Sequence, residues 1–270
     1  MDITTQAGAA AYQLTAAMRT DQGLVREGNE DACLILRPGG ETALAVIADG
    51  MGGHAAGEVA SAYAVATLAT AFNEFPEDIP GAFASALQDA NEAIMAHAAQ
   101  HPDCAGMGTT CTALAIAGGR AHLAHVGDSR AYLGTAAGLR QISTDHSAVA
   151  RLLDAGLITA QEAATHPERN IITQALGTSP SFAPQFLTLK LEPGQRFLIC
   201  SDGLSDLVPE AAIYEALMGL PPNEACDALV AAALHAGGLD NVSVGIVNLG
   251  PPGAAPGDTR PHPTHETGAL

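Results

Sequence analysis

The sequence predicts an α+β fold in which antiparallel sheets are covered by helical hairpins. Three observations carry that expectation. Apolar runs follow one another across short turns that contain glycine, the pattern of hairpins. Helical stretches come as consecutive pairs, unlike the βαβ alternation of a doubly wound sheet. Finally, 47% of the 270 residues are hydrophobic, enough for a substantial core and too many for a disordered chain. With no Trp and only 4% aromatic residues, that core must be packed largely with Ala, Val, Leu and Ile.

In chain order, residues 13–19, 32–37 and 42–48 read as strands, with Pro38-Gly39-Gly40 as the turn between the last two. Residues 55–72 and 80–100 follow as two alanine-rich helices with apolar faces at helical spacing. β patterns return at 109–117, 120–126 and 130–133, punctuated by Gly118-Gly119 and Gly127-Asp128. Residues 143–177 are mixed, with two short helices ended by Gly156 and Pro167. Strands resume at 185–191 and 196–200, two helices occupy 210–218 and 223–236, and 242–249 is a final strand. Residues 1–250 read as one domain, and the Pro/His-rich residues 251–270 as a disordered tail. No internal repeat is visible.

Charge narrows the function. Acidic residues outnumber basic ones 29 to 11, a formal net charge of −18. So acidic a chain is unsuited to nucleic acid, whose phosphates are bound by clustered Lys and Arg, and it repels anionic lipid. The sole lysine, Lys190, is not in a Gly-Lys-Ser/Thr step, which excludes a P-loop nucleotidase. The longest apolar runs, such as Ala43 to Ala48, fall far short of the ~20 residues of a membrane span. The five cysteines form no Cys-x-x-Cys pair; buried free thiols in a reducing cytoplasm are expected.

The aspartates stand at informative places. Asp49 ends the run Leu-Ala-Val-Ile-Ala, Asp202 ends Phe-Leu-Ile-Cys-Ser, Asp128 follows His-Val-Gly, and Asp240 precedes Asn-Val-Ser-Val. A carboxylate at the rim of an apolar sheet is costly unless neutralised. Basic residues are scarce, so a divalent cation is the natural neutraliser, and all-oxygen ligation suits Mg²⁺ or Mn²⁺ rather than zinc. Taken singly, each Asp also reads as an ordinary turn or cap residue. The segment Asp49-Gly-Met-Gly-Gly-His-Ala-Ala-Gly57 loosely fits a dinucleotide fingerprint, but a second helix follows the first where a Rossmann unit needs a strand.

The ordered motifs Arg26-x-x-Asn29-Glu30-Asp31, Asp49-Gly-Met-Gly-Gly-His54, Gly127-Asp-Ser-Arg-Ala-Tyr132, Thr144-Asp-His-Ser147, His166-Pro-Glu-Arg-Asn170, Ser201-Asp-Gly-Leu-Ser-Asp206 and Gly238-Leu-Asp-Asn241 resemble the metal-dependent protein phosphatases of type 2C, in particular the compact bacterial members. The resemblance runs from about Leu14 to Leu249. It implies a four-layer α-β-β-α sandwich of two antiparallel sheets with a metal centre at one edge. It further implies hydrolysis of phosphoserine and phosphothreonine in proteins by a metal-bridging hydroxide, opposing a bacterial Ser/Thr kinase. Two Mn²⁺ or Mg²⁺ ions are implied, with a third, weaker one.

Carried over residue by residue, Asp49 would bridge both metals, the Gly50 carbonyl would ligate one, and Asp202 and Asp240 would hold the other. Glu30, with Asp31, would hold metal-bound waters or the metal, Asp128 would bind the third ion, and Arg26 would clamp the phosphate. Residues 143–177 would form a flap beside the site, setting substrate choice. Met51 stands where many eukaryotic members carry a histidine as general acid; His54 is chemically able to serve instead, and a metal-bound water is the preferred proton donor. Gln174 stands where bacterial relatives often have Arg, and His146 and His166 are read as structural. A cytoplasmic monomer is expected. The competing reading on the same fold is a catalytically silent phosphoprotein-binding module, which would lack one of the aspartates.

Overall fold

The structure is a computed structural model, and it describes residues 12–52 and 56–250. His54 and the expected tail at 251–270 lie outside the described residues.

Eleven strands are described: β1 (Gln13–Asp21), β2 (Asp31–Gly39), β3 (Thr42–Met51), β4 (Gly108–Thr109), β5 (Cys111–Ala117), β6 (Arg120–Val126), β7 (Arg130–Thr135), β8 (Gly138–Gln141), β9 (Gln185–Lys190), β10 (Arg196–Cys200) and β11 (Val242–Gly250). The helices are α1 (Ala56–Ala71), α2 (Ile79–Gln100), α3 (Ala148–Asp154), α4 (Ala160–Ala164), α5 (Asp202–Ser205), α6 (Glu210–Gly219) and α7 (Pro222–His235), with a 3₁₀ turn at Pro102–Cys104. One sheet runs β1-β11-β10-β7-β8 and the other β2-β3-β5-β6-β9, with β4 paired to the end of β3. Their named pairings are antiparallel.

Three apolar clusters account for the layering. Ala43, Ala45, Ile47, Leu114, Phe197, Ile199 and Val247 fill the space between the sheets. Leu68, Phe72, Phe83, Leu87 and Ile94 press α1 and α2 onto the outer face of the β2–β9 sheet. Leu198, Ile213, Leu217, Leu229 and Val244 join α6 and α7 to the other sheet. The result is the expected four-layer sandwich. The five cysteines are free thiols; Cys111, Cys200 and Cys226 are buried, whereas Cys33 and Cys104 are only partly covered. Among the described residues no helix is long and apolar enough to cross a membrane.

The structure differs from the expected elements in three places. The strand expected at 109–117 is broken at Thr110, whose side chain and backbone turn to Asp49. A short strand, β8, follows the Thr135–Gly138 turn, because its four residues are too few to show a period. Asp202 opens the short helix α5 rather than ending a strand.

Antiparallel register decides where the loops lie. Asp31 pairs with Asp49, Ile47 with Thr112, and Cys111 with Val126. In the other sheet Asp21 pairs with Val242, and Cys200 with both Val244 and Arg130. The ends of β1, β3, β6 and β10 and the starts of β2, β5, β7 and β11 therefore share one end of the sandwich. Every acidic residue singled out by the sequence lies there.

Candidate functional site at the acidic end of the sandwich

Residues 22–30 link the two sheets across this end. Asn241, just before β11, donates from Nδ2 to the carbonyls of Gln22 and Gly28, each at 2.8 Å, and its Oδ1 accepts from Glu30 N at 2.8 Å. The loop so held places Arg26, whose guanidinium reaches Asp240 at 2.6 Å. Glu30 lies against the first turn of α1. Its carbonyl accepts hydrogen bonds from Ser61 Oγ at 2.6 Å and Gly50 N at 3.2 Å.

Two glycines permit this closeness. A Cβ at Gly50 would come within 2.2 Å of the Gly57 carbonyl, and one at Gly57 within 2.7 Å of the Glu30 carboxylate. Ahead of Leu68, the buried face of α1 consists of Ala56, Gly57, Ala60, Ser61 and Ala64; side chains this small let the start of the helix approach the end of β3.

The carboxylates are held from behind. Ser201 Oγ and Ser243 Oγ donate to Asp31 Oδ2 at 2.8 and 2.7 Å. Asp49 N donates to Thr110 Oγ1 at 2.9 Å, and Thr110 Oγ1 lies 2.8 Å from Ser129 Oγ. Thr109 Oγ1 donates to the Asp49 carbonyl. Beside the cluster, Arg130 makes a forked ion pair with Asp145, closest at 2.7 Å.

Their electrostatics are those of acids crowded without counter-charge. Burial, and then the charges of Asp31, Asp202, Asp128 and Asp240, hold the Asp49 carboxyl well above the usual carboxylate range. Burial pushes Asp31 up to about 7 against the opposing hydrogen bonds from the two serines. Burial, with Asp202 and Asp145 adding, pushes Asp128 up to about 7. Burial, and then the charges of Asp206 and Asp240, raise the Asp202 carboxyl as well.

Whether a metal suits this donor set can be judged from the atoms. Buried Oδ1 atoms of Asp31, Asp128 and Asp202 have no hydrogen-bond partner, a costly state for oxygen acceptors. Hard all-oxygen donors suit Mg²⁺ or Mn²⁺. Among the described residues no three acidic, His or Cys side chains are arranged to hold an ion as they stand; the Arg26–Asp240 pair occupies an oxygen that a cation would compete for. The residues thus fit divalent cations once the Arg26–Asp240 ion pair gives way.

Arg26, Glu30, Asp31, Asp49, Gly50, Asp128, Asp202 and Asp240 therefore converge on one end of the sandwich. Asp31 is more deeply placed than a solvent-facing water ligand would be, at 9% exposure, whereas Glu30 stays near the surface. His146 has its Nδ1 accepting from Gly127 N and His166 its Nδ1 accepting from Glu168 N, structural roles as expected. Gln174 accepts from Ala183 N at 2.7 Å, a tie within the chain rather than a ligand contact. Sequence reasoning missed Ser201 and Ser243 as the groups that hold Asp31, Thr110 behind Asp49, and Asn241 as the loop clamp. Asn241 was visible in Gly-Leu-Asp-Asn, but its three partners were not.

Comparison with known proteins gives the following. The protein phosphatase 2C family model matches residues 23–234. The chain is 44% identical over 237 residues to the serine/threonine protein phosphatase PstP of Mycobacterium tuberculosis, covering 87% of this chain but only 45% of that protein. It thus spans about half the length of that relative. It is 37% identical to a serine/threonine phosphatase of Listeria innocua, covering 86% of this chain and 94% of the relative. A crystal structure of the catalytic domain of PstP with two manganese ions superposes with a TM-score of 0.79 at 41% identity, covering 88% of this chain and 99% of that one.

Proposed function

The chain belongs to the protein phosphatase 2C family, and from that membership we propose that it hydrolyses phosphoserine and phosphothreonine in proteins with two Mn²⁺ or Mg²⁺ ions. The observation that carries the reading is the set of buried carboxylates with unpartnered oxygens, Asp31, Asp128 and Asp202, packed around Asp49 beside an arginine at the rim. A silent binding module would have lost one of the aspartates, and none is missing.

Asp49, the Gly50 carbonyl, Asp202 and Asp240 would hold the two ions, with Glu30 and Asp31 nearby and Asp128 available to a third. When bound, the ions supply positive charge and make hydroxide available near neutral pH. The chain's own part is placement. Arg26, half exposed at the rim, presents a planar fork able to meet two phosphate oxygens, exchanging Asp240 for substrate. Ser201 and Ser243 fix Asp31 so that its free Oδ1 stays turned away from them. No side-chain nucleophile is needed: Ser201 Oγ is spent on Asp31, Ser129 Oγ is engaged with Thr110, and burial pushes the Cys111 and Cys200 thiols up to about 12, away from reactive thiolate. Residues 143–177 would be a flap over the cleft, and a Ser/Thr kinase would supply the substrate.

The direct test is hydrolysis of a phosphopeptide and of p-nitrophenyl phosphate with Mn²⁺ and with EDTA. Turnover that needs Mn²⁺ and stops with EDTA is expected; turnover that survives EDTA would contradict the reading.

Proton linkage gives a second expectation. Asp31 and Asp128 are raised from the ordinary range to about 7, so the folded form binds more protons than the unfolded one between those limits. That contribution to stability is complete below the unfolded pKa and is lost as pH rises through about 7. In EDTA, Tm should fall between about pH 5 and about pH 8. Mn²⁺ should then raise Tm more at the higher pH, by at least about 5 °C more. Calorimetry across that range checks this; a Mn²⁺ effect independent of pH would remove the link between these carboxylates and the metal.

A further inference from the structure

Eight large hydrophobic side chains stand exposed among the described residues, and six of them, Leu24, Val25, Leu153, Leu157, Ile171 and Leu239, lie on the segments that border the candidate site. The concentration is too high for scattered surface apolarity. Leu153, from α3, and Leu239, from the loop before β11, line the same cleft of about 480 Å³ as Asp128, Asp202 and Asp240. Leu24 joins Leu239 on one rim: its N–H donates to the Gly238 carbonyl at 2.8 Å, and its Cγ lies 2.9 Å from where a Cβ at Gly238 would be. Its neighbour Val25 directly precedes Arg26. Leu239 is 59% exposed and Leu24 68%, so most of this area gains only when an occupant covers it.

We propose that Leu153 and Leu239, with Leu24 and Val25 on the rim, form an apolar subsite for the residues flanking the phosphorylated serine or threonine. The enzyme thereby selects phosphosites with aliphatic neighbours over those with acidic ones. This rests on the phosphatase reading and adds its specificity. Continuity argues for the occupant, because Leu153 and Leu239 line the same cleft as Asp128, Asp202 and Asp240 and so lie beside any peptide whose phosphate is held there. Charge argues the same way. In the cleft Asp145 is paired with Arg130, and Asp206 shares the lining with Arg169, so the net acidity lies on the other side, where Glu27, Glu30 and Glu58 surround Arg26. Acidic flanks would be repelled on that glutamate-lined side, as would anionic lipid or a second copy of a chain carrying −18.

The test is steady-state kinetics with Mn²⁺ on three phosphothreonine peptides whose flanking residues are Leu/Val, Ser or Glu, with p-nitrophenyl phosphate in parallel. The Leu/Val peptide should show the highest kcat/KM through a lower KM. A Leu153→Ser/Leu239→Ser variant should lose about ten-fold on that peptide, the low end of what apolar pocket contacts discriminate. The same variant should keep p-nitrophenyl phosphate turnover unchanged, which also reports that it is folded. Added salt should relieve the penalty of the Glu peptide and leave the aliphatic preference intact. Equal kcat/KM on all three peptides, or equal losses on peptide and p-nitrophenyl phosphate, would overturn the subsite with the phosphatase reading intact. Absence of any p-nitrophenyl phosphate turnover by the unaltered protein would overturn both.

Discussion

An Asp49→Asn variant is expected to fold and to lose at least about 10³-fold in kcat, some 4 kcal/mol of transition-state stabilisation. The backbone of Asp49 is fixed independently of its carboxylate, through its N–H to Thr110 Oγ1 and its carbonyl to Thr110 N and Thr109 Oγ1. An isosteric amide can occupy the same place. What disappears is the charge at the centre of the cluster, around which Asp31, Asp128, Asp202 and Asp240 are gathered. Because those neighbours repel one another, the variant in EDTA should melt at or above the parent near pH 8, above the values of about 7 to which Asp31 and Asp128 are raised. Its Tm should respond to Mn²⁺ much less than the parent's. Kinetics on p-nitrophenyl phosphate and paired melting curves decide the matter. A variant as active as the parent would sink the assignment of Asp49, and so would an unchanged Mn²⁺ response.

The opposite signs of these two effects, activity down and metal-free stability up, distinguish a ligand from a structural residue. A buried side chain that merely packs loses both together when it is altered. The cluster is in this sense a local conflict between sequence and stability: acids at the ends of apolar strands, where folding alone would place neutral groups.

That conflict is why the site was legible at all. Asp49, Asp202 and Asp240 announce themselves by interrupting or flanking apolar runs, and apolar runs joined by glycine turns, with helices in pairs, predict antiparallel sheets covered by helices. The register then gathers these ends on one side of the sandwich, a consequence of antiparallel pairing that no local window contains. Less was visible where partners are far apart in the chain. Arg26 and Asp240 are separated by 214 positions, and Ser201 and Asp31 by 170. A serine on a buried strand carries no period that marks it as a donor to a distant carboxylate; β11 is buried on both faces at Ser243 and its neighbours, so alternation has nothing to report there. The motif resemblance named segments that the structure brings to one end of the sandwich, but contacts within them, such as those of Asn241 beside Asp240, needed coordinates.

Asn241 should therefore be the most sensitive position outside the carboxylates. Its side chain satisfies two backbone carbonyls and one N–H of the 22–30 loop while itself only 5% exposed. Asn241→Ala leaves those three groups without partners. At about 1–3 kcal/mol for an unsatisfied buried group, and with water reaching part of the loop, a loss of about 3 kcal/mol is expected. For a domain of this size that lowers Tm by roughly 6–12 °C. Activity should fall further than stability, since the same loop carries Arg26 and Glu30; a drop of about 10²-fold in kcat/KM is expected, the cost of misplacing a positioning group. Asn241→Asp provides the discriminating control. It keeps the shape and the acceptor for Glu30 N but donates to neither carbonyl, and it adds a negative charge beside Asp240 and Glu30. If the clamp acts through its donors, the Asp variant will be no better than Ala despite being isosteric, and hydrogen exchange of residues 22–30 will accelerate in both. Near-normal activity in Asn241→Asp would show instead that size and the acceptor for Glu30 N suffice, and that the two donors do not place the loop.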